Sequence, residues 1–369
     1  MEYDSKTRAR LNFTMDKENL LSSEISRFYA KKSIFITGAT GFVGKALIEK
    51  LLRSCPDIEK IYLLVRSKKG KSPRERVDEL VNCKLFEPVA KEHPDYKSKL
   101  VAINGDLVEP NLGISDEDRA VLRDKCNIVF HSAATVRFDE PLKVAVDMNL
   151  IGTKRVVDLA KEMKHFEVFL HVSTAYANCD RRHISEEIYN PPVKPEKLIE
   201  AVEWMQSDLA NLITPKVIQC KPNTYTYTKA IAETLVAQEC RDMPCAIVRP
   251  SIVGSSWREP FPGWVDNFNG PAALFPAISS GLLRTMLAHP SAIADIIPLD
   301  VPVNLMIAVA WFTATKHKTT KKILVYNCTT GQINTLTWGM FEYYGLKVMD
   351  KYPLEKILFV PNPHFTQYK

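Results

Sequence analysis

The segment Ile34-Phe35-Ile36-Thr37-Gly38-Ala39-Thr40-Gly41-Phe42-Val43-Gly44 decides the fold of this chain. Its first residues are apolar and β-branched, which favours a short buried strand. Three glycines follow at equal spacing, and the apolar residues from Ala46 to Leu52 recur with helical periodicity. A second strand is predicted at 60–65. The segment therefore predicts the strand, tight turn and helix that begin a βαβ unit.

This spacing of glycines is typical of a turn that binds a dinucleotide. We expect Gly38 to permit the sharp turn, Gly41 to let a pyrophosphate approach the backbone, and Gly44 to let the helix lie close to the strand. The N–H groups at the start of the helix then face the phosphates. The predicted contacts in this segment are Thr37, Gly38, Thr40, Gly41, Phe42, Val43 and Gly44. A glycine turn in another kind of α/β protein is the alternative interpretation.

Composition limits the classes of function. The chain has 369 residues, 46% of them hydrophobic and 25% charged, as expected of a globular protein with a sizeable core. A net charge of +6 suits acidic small molecules or an anionic membrane surface and does not favour nucleic acid. The scattered cysteines and the lack of a recognisable signal peptide predict a reducing, intracellular environment. The spacing of the histidines predicts no metal site, and no apolar stretch is long enough to predict a transmembrane helix.

Strands and helices alternate along most of the chain. Strands are predicted at 33–37, 60–65, 100–104, 127–131, 168–173, 245–249 and 323–328. Helices are predicted near 42–53, 72–83, 116–123, 141–163, 196–212 and 227–241. This alternation predicts an α/β fold with a doubly wound parallel sheet and right-handed crossovers. The proline-containing segments 180–222 and 255–310 interrupt the pattern, and we expect them to form an inserted and a C-terminal cap over the substrate.

The end of the second predicted strand indicates which nicotinamide cofactor is bound. NAD-binding domains tend to have a carboxylate there, which binds the ribose 2′-hydroxyl. In this chain Val65 is followed by Arg66 and a run of lysines instead. A guanidinium can bind a 2′-phosphate with two hydrogen bonds, so the sequence favours NADPH over NADH. A solvated basic loop without a ligand is the alternative interpretation.

Further cofactor contacts are expected where other strands end, since open α/β sheets bind ligands at that edge. Asp106 and Leu107 follow the third strand and are expected at the adenine. Asn149 is expected to hold the side chain of Lys229 in place through hydrogen bonds, or simply to bind backbone groups. The remaining predicted contacts are small residues beside the ribose and phosphates and residues beside the nicotinamide carboxamide, namely Ser132, Ala133, Ala134, Pro250, Ser251, Ile252 and Val253.

The candidate catalytic residues lie in the motif Tyr225-Thr226-Tyr227-Thr228-Lys229. A spacing of four places Tyr225 and Lys229 on one helical face. The phenol can donate a proton to a carbonyl oxygen, and the nearby ammonium is expected to lower the phenol pKa from about 10. A second hydroxyl, at the end of the fifth strand, is expected to polarise that carbonyl; Thr174 is the first choice and Ser173 the second. The alternative interpretation is that Tyr225 and Lys229 are a pair on a surface helix without a catalytic role.

Taken together, these motifs resemble those of an extended short-chain dehydrogenase/reductase. Within that superfamily the chain is similar to the eukaryotic, insect-type fatty acyl-CoA reductases across residues 28–340. The matching stretches are 33–44, 61–66, 131–140, 172–178, 225–230, 249–253 and 257–267, of which the last is the most specific. The resemblance implies reduction of long-chain acyl-CoA to a primary alcohol through an aldehyde, with two NADPH. Tyr225 would be the proton donor, Lys229 its partner and ribose anchor, and Thr174 or Ser173 the carbonyl donor.

The polar, mixed-charge start of the chain, the strand and helix pattern that follows it and the resemblance together suggest a division of the chain. We expect a mobile lead-in at 1–30, with a short helix near residues 20–28, an NADP-binding reductase domain at 31–310, and the start of a truncated C-terminal region at 311–369. The resemblance also implies membrane association, at the endoplasmic reticulum or peroxisome, through the further C-terminal region that such proteins usually carry. Acyl chain length and oligomeric state are left open.

Two other functions stay open at this point. A nucleotide-sugar epimerase or dehydratase uses the same scaffold with polar substrates. A non-catalytic dinucleotide-binding protein would keep the fold without turnover, although intact Tyr225 and Lys229 speak against it.

Overall fold

The computed structural model describes residues 24–317 and 322–366. The strands are β1 (Ser33–Thr37), β2 (Lys60–Val65), β3 (Leu100–Asn104), β4 (Cys126–His131), β5 (Val168–Val172), β6 (Cys245–Pro250), β7 (Ile252–Gly254), β8 (Thr285–Leu287), β9 (Ile296–Pro298), β10 (Leu324–Cys328) and β11 (His364–Thr366). A helix that includes residues 24–29 is called α1. The other helices are α2 (Phe42–Ser54), α3 (Pro73–Val81), α4 (Glu87–Glu92), α5 (Asp116–Lys125), α6 (Leu142–Val146), α7 (Gly152–Lys161), α8 (Pro195–Trp204), α9 (Ser207–Ile218), α10 (Thr224–Glu239), α11 (Pro271–Ser279), α12 (Asp300–Thr315) and α13 (Trp338–Lys351).

Seven strands form one parallel sheet in the order β10-β6-β5-β4-β1-β2-β3. The strand order reverses between β1 and β4, which is the topological switch point where such sheets bind ligands. The predicted doubly wound sheet is confirmed, and each predicted strand end is within one residue of the observed one. Helices α2 and α12 contribute to the hydrophobic core on one face of the sheet, and α5, α7 and α10 contribute to that on the other.

Two predicted helices are interrupted in the structure. The helix expected at 141–163 contains a π-helical turn at Asp147–Ile151, between α6 and α7. The helix expected at 196–212 is in fact the pair α8 and α9, because Met205 and Gln206 have extended backbone conformations. The next residues, Ser207 and Asp208, are of the types that favour a helix start.

Helix α12 was not predicted, since its apolar residues show no helical stripe. It buries Val303, Met306 and Ala310 and contacts α2, β5 and β6. The boundary expected at residue 310 falls inside this helix, and β10 beyond it pairs with β6 in the main sheet. The last residues of α12 and strand β10 thus lie beyond the expected boundary and pack with the main sheet.

The remaining expectations concern the ends and the caps of the chain. Most of the expected lead-in at 1–30 lies outside the described residues, and 24–29 are helical. From Ile252 onward the chain includes α11 and two small sheets, β7 with β9 and β8 with β11. Within the described ranges, no helix is both long and apolar enough to span a bilayer.

Candidate active site

The glycine turn has the backbone geometry that the sequence predicts. Gly38 has φ of +76°, and a Cβ added there would lie 2.7 Å from the backbone nitrogen of Ala133. At Gly44 an added Cβ would lie 2.2 Å from the carbonyl oxygen of Gly38, so only glycine lets α2 approach the turn this closely. No described side chain caps the N-terminus of α2 at Gly41, and its first turn has no acidic residue. The positive end of the helix therefore fits an anionic phosphate.

Thr37 holds the ends of β1 and β4 together. Its carbonyl accepts a hydrogen bond from the Ser132 hydroxyl at 2.9 Å, and its own hydroxyl accepts from the Ala133 amide at 3.3 Å and contacts His131 Nδ1 at 2.7 Å. Since Thr37 is fully buried, its side chain supports the turn. The half-buried residues Ser132 and Ala133 lie directly beside Gly38 at the predicted cofactor edge, and Ala134, also half-buried, follows them.

Two arginines meet at the end of β2. Arg66 is about half exposed, and its Nη1 lies 3.1 Å from Asp106 Oδ2. Arg76, on α3, donates to the Arg66 carbonyl at 2.6 Å and to the Thr40 hydroxyl at 3.2 Å. Burial, and then the charge of Arg66, lower the pKa of Arg76, as expected where positive charges crowd together. This corner of the site is therefore suited to a phosphate.

Arg76 has no recognisable signal in the sequence, because its contact with Thr40 joins residues far apart in the chain. Asp106 lies at the predicted edge but is engaged by Arg66. Leu107 is only 5% exposed and lies against Gly152, so little of its surface is free to pack on an adenine ring. Phe42 stacks on Trp264 at 5.2 Å between ring centroids, which directs its side chain toward the segment after β7, while Val43 packs against the core.

Tyr225 and Thr174 are brought together at the carboxyl edge of the sheet. Tyr225 is in the first turn of α10, and Thr174 lies two residues after the end of β5. Burial raises the pKa of the Tyr225 phenol to about 12, and a hydrogen bond with Thr174 opposes this rise. The phenol is consequently protonated at neutral pH, as a proton donor must be. The exposed ring of Phe138 lies 6.0 Å from the Tyr225 ring.

The structure does not reproduce the expectation that Lys229 lowers the pKa of Tyr225, since burial and Thr174 are the influences on the phenol. The reason is the position of the ammonium. Lys229 Nζ donates to the Val172 carbonyl at 2.6 Å and lies 3.4 Å from His171 Nε2, which draws it to the end of β5. Burial lowers the pKa of Lys229 to about 8, and the negative charge of Glu233 opposes this fall. Burial also lowers the pKa of His171, which keeps the imidazole neutral.

Asn149 lies in the π-helical turn, next to the helix that carries Lys229. Its Nδ2 donates to the Thr228 hydroxyl at 3.0 Å, and its Oδ1 accepts from the Thr135 amide at 2.9 Å. The side chain therefore joins the loop after β4 to α10 and reaches Lys229 only through its neighbour in the chain. Asn149 thus binds one backbone group and one side chain of the helix that carries Lys229.

The two hydroxyls at the end of β5 have different surroundings. The Ser173 hydroxyl donates to Glu233, which also forms a buried ion pair with Arg249. The Thr174 hydroxyl donates weakly to the Pro250 carbonyl at 3.4 Å and faces Tyr225. Glu233 and Arg249 were not singled out by the sequence, although Glu233 continues the spacing of four from Tyr225 and Lys229.

The predicted nicotinamide wall begins at Pro250, the last residue of β6. Pro250 and Ser251 are buried, and the Ser251 amide donates to the Cys328 carbonyl of β10 at 3.0 Å. The Ser251 hydroxyl is buried with no partner among the described residues. Ile252 and Val253 are half-buried in β7, which pairs with β9. A buried polar group without a partner at this position is compatible with a missing polar ligand atom such as a carboxamide.

The parallel sheet, the glycine turn and the Tyr-Lys helix define a nicotinamide dinucleotide-binding domain of the extended short-chain dehydrogenase/reductase class. The chain belongs to the family described as Male sterility protein, whose model matches residues 36–306. The sequence resemblance to fatty acyl-CoA reductases is confirmed by curated relatives. Fatty acyl-CoA reductase 1 of Xenopus laevis is 54% identical over 342 residues, which are 93% of this chain and 66% of the relative. Fatty acyl-CoA reductase 2 of Homo sapiens is 48% identical over 344 residues, again 93% and 66%.

The chain thus spans 66% of the length of these relatives. A solved structure supports the fold independently. The reductase (R) domain of a nonribosomal peptide synthetase from Mycobacterium tuberculosis matches with a TM-score of 0.63 and 18% identity, covering 88% of this chain and 73% of that one. At this identity the likeness concerns the fold alone.

Proposed function

We propose that this chain reduces long-chain fatty acyl-CoA to a primary alcohol through an aldehyde, with NADPH as the cofactor. The observation that carries the proposal is the meeting of the Tyr225 phenol and the Thr174 hydroxyl at the ligand-binding edge of the sheet, with Lys229 one helical turn away. Relatives that are about half identical over the aligned residues bear the name fatty acyl-CoA reductase, which suggests the substrate class.

The residues present fit a dinucleotide. The turn at Gly38, Gly41 and Gly44, with the uncapped start of α2, would hold the pyrophosphate. Ser132, Ala133 and Ala134 would line the ribose and phosphates, and the residues after β6 would face the carboxamide. When bound, NADPH supplies the hydride that reaches the carbonyl carbon.

The protein residues supply the proton and the hydrogen bonds. Tyr225 donates its phenolic proton to the carbonyl oxygen, and Thr174 hydrogen-bonds the same oxygen as negative charge develops there. An ammonium has three N–H groups, so Lys229 can hold the Val172 carbonyl and still bind a ribose hydroxyl. In the first reduction the carbon–sulfur bond then breaks, the hydroxyl proton is lost and CoA leaves as the thiol, which gives the aldehyde. In the second, Tyr225, protonated again from solvent, donates to the aldehyde oxygen to give the alcohol.

A preference for NADPH is proposed from charge. Arg66 and Arg76 approach each other at the end of β2, where a 2′-phosphate would accept hydrogen bonds from both guanidinium groups. The carboxylate of Asp106 pairs with Arg66, and a bound 2′-phosphate, with its greater negative charge, would replace it as the partner of this arginine.

The extent and location of the protein complete the proposal. We take the reductase domain to begin near residue 31 and to continue through β10. Membrane association, at the endoplasmic reticulum or peroxisome, follows from family resemblance and is testable by fractionation of cells that express the protein.

The two other functions are less well supported. A nucleotide-sugar epimerase or dehydratase shares the scaffold, but the relatives of high identity are named as reductases. A non-catalytic dinucleotide-binding protein has no need for a buried lysine beside a paired phenol and hydroxyl.

The test is incubation of the purified chain with NADPH and acyl-CoAs of graded length, followed by identification of the products by mass spectrometry. Alcohol formed with release of free CoA and oxidation of two NADPH supports the proposal. Absence of NADPH oxidation with every acyl-CoA contradicts it, and tight retention of oxidised cofactor with conversion of nucleotide sugars would favour the epimerase.

A further inference from the structure

Glu233 and Arg249 form an ion pair that is almost completely removed from solvent. Their exposed fractions are 2% and 0%. Arg249 Nε lies 2.9 Å from Glu233 Oε1 and Arg249 Nη2 lies 2.7 Å from Oε2, so both carboxylate oxygens are engaged. The pair joins α10, which carries Tyr225 and Lys229, to the neighbouring strand β6.

Arg249 also fixes the first part of the inserted segment. Its Nη1 donates to the Ser185 carbonyl at 3.0 Å, and its Nη2 donates to the Glu187 carbonyl at 2.7 Å. On β10, Asn327 Nδ2 donates to the Ile184 carbonyl at 2.8 Å. The loop 184–187 is thus tied by side chains to the ends of β6 and β10, on the side of the sheet where the candidate site lies.

Glu233 contacts the candidate site from two directions. Its spacing of four from Lys229 places it on the same helical face, and its charge opposes the effect of burial on the Lys229 pKa. Its Oε1 also accepts a hydrogen bond from the hydroxyl of Ser173. Ser173 directly precedes Thr174, so this bond fixes the strand end from which Thr174 faces Tyr225.

Stability alone is a weak reason for this arrangement. Removal of two charges from water is costly, and apolar residues of similar volume are often as stabilising as a buried ion pair. The groups that the ion pair holds in place therefore explain it better than its contribution to stability does.

We infer that Glu233, held by Arg249, is a positioning residue for the reductase site: it fixes the end of β5 that carries Thr174, provides the negative charge that faces Lys229, and links loop 184–187 to both. This inference rests on the proposed function. It assigns no contact with substrate to either residue.

The charge on Lys229 depends on all the groups around it. Those groups are His171 from β5, His131 from β4, Tyr225 and Glu233 from its own helix and, through Glu233, Arg249 from β6. Burial lowers the pKa of His131 to about 3, and that of His171 is also lowered, so both are neutral at the pH of an assay. Glu233 is therefore the nearby group whose negative charge favours the protonated lysine.

The first test is Glu233→Gln in the full chain, assayed with NADPH and palmitoyl-CoA. We expect kcat to fall about tenfold or more with a small change in KM, because the substituted residue does not touch the substrate. The alkaline limb of the kcat/KM profile should move about one unit to lower pH, since Lys229 then loses its proton more easily. A merely structural role would reduce activity by the same factor at every pH.

The matched control is Glu239→Gln, on the same helix. Glu239 pairs with Lys161 near the end of α10 and is about one quarter exposed. This variant should keep the wild-type kcat and the wild-type alkaline limb. An equal shift in both variants would show a general effect of charge on the helix and would overturn the inference.

Glu233→Gln leaves the buried Arg249 without its charged partner, and this alone can destabilise the fold. A second variant therefore replaces both residues, Glu233→Met with Arg249→Met. Removing both charges avoids the uncompensated cation, and methionine fills a similar volume. The double variant should melt cooperatively and bind NADPH. The alkaline limb of its kcat/KM profile should still lie at lower pH than in the wild-type protein. A folded double variant with wild-type kcat and pH profile overturns the inference.

Failure of the proposed function has a different signature. In that case the wild-type protein reduces no acyl-CoA, whatever the variants do. The alkaline limb is then measured from the pH dependence of NADPH affinity by fluorescence. A shift to lower pH in the double variant supports the role of Glu233, and an unshifted limb overturns it.

Discussion

The Ser173 hydroxyl donates to Glu233, whereas the adjacent Thr174 hydroxyl lies beside the Tyr225 phenol, whose pKa it holds below the value that burial alone would give. Alternation along an extended backbone accounts for this difference, because neighbouring side chains point to opposite sides. Of the two candidates, we therefore propose Thr174 as the one that faces a carbonyl held by Tyr225.

Substitution of Thr174 by valine should lower kcat with palmitoyl-CoA about 100-fold, because one hydrogen bond to the developing oxyanion is lost. Thr174→Ser keeps the hydroxyl and should retain most of the activity. The comparison is Ser173→Ala, which should cost much less in kcat and should instead lower the melting temperature. Equal losses of kcat in Thr174→Val and Ser173→Ala would remove Thr174 from its proposed role.

The arginines at the end of β2 should determine cofactor preference. Arg66→Ala and Arg76→Ala should each weaken NADPH binding about 10-fold or more and leave NADH binding within about twofold, because only NADPH has the 2′-phosphate. Fluorescence titration with both nucleotides measures this. Arg74→Ala is the control, since Arg74 is an exposed arginine on the same helix. A parallel loss of NADH binding would place the arginines elsewhere.

Close approach at the glycine turn should make Gly44 intolerant of a methyl group. Gly44→Ala should destabilise the protein by about 2 kcal/mol or more, because its Cβ would lie 2.2 Å from a backbone oxygen. The control is Gly345→Ala, also in a helix, where the nearest atom would be 3.7 Å away. That change should be neutral or stabilising by roughly 0.5–1 kcal/mol, since alanine favours helix. Denaturant unfolding measures both changes; similar values for the two variants would contradict the packing argument.

The alkaline limb of kcat/KM should lie near the Lys229 pKa of about 8. Lys229 is protonated below that pH, and the charge that holds the ribose hydroxyl is lost as the pH rises through it. Lys229→Arg should abolish this limb, because a guanidinium stays charged, while lowering kcat through its different shape. The measurement is a rate profile from pH 6 to about 10. Persistence of the limb near pH 8 in the arginine variant would assign it to another group.

Much of the fold follows from local patterns. The strand ends and the glycine turn are visible because apolar runs, glycine spacing and alternation with helices are short-range properties. The spacing of Tyr225 and Lys229 is likewise visible, since helical periodicity places them on one face. Helix α12 escaped prediction because it is apolar nearly all round, and the break between α8 and α9 depends on only two residues.

The less predictable parts of the site arise from contacts between distant segments. Arg76 reaches Thr40 from another helix, and Arg249 meets Glu233 only after β6 and α10 have packed together. The choice between Thr174 and Ser173 depends on the direction of a strand end, which a one-residue shift reverses. The sequence also could not predict that the pKa of Tyr225 is raised. That outcome depends on burial and on the position of the Lys229 ammonium, which is set by the Val172 carbonyl.

The most direct measurement compares Tyr225→Phe with the wild-type protein in NADPH oxidation driven by palmitoyl-CoA, with NADPH affinity determined in parallel. Loss of the phenolic proton should reduce turnover at least about 100-fold and leave NADPH affinity within about twofold, because the ring and its contact with Phe138 remain. Unchanged turnover in Tyr225→Phe would show that this phenol is not the proton donor.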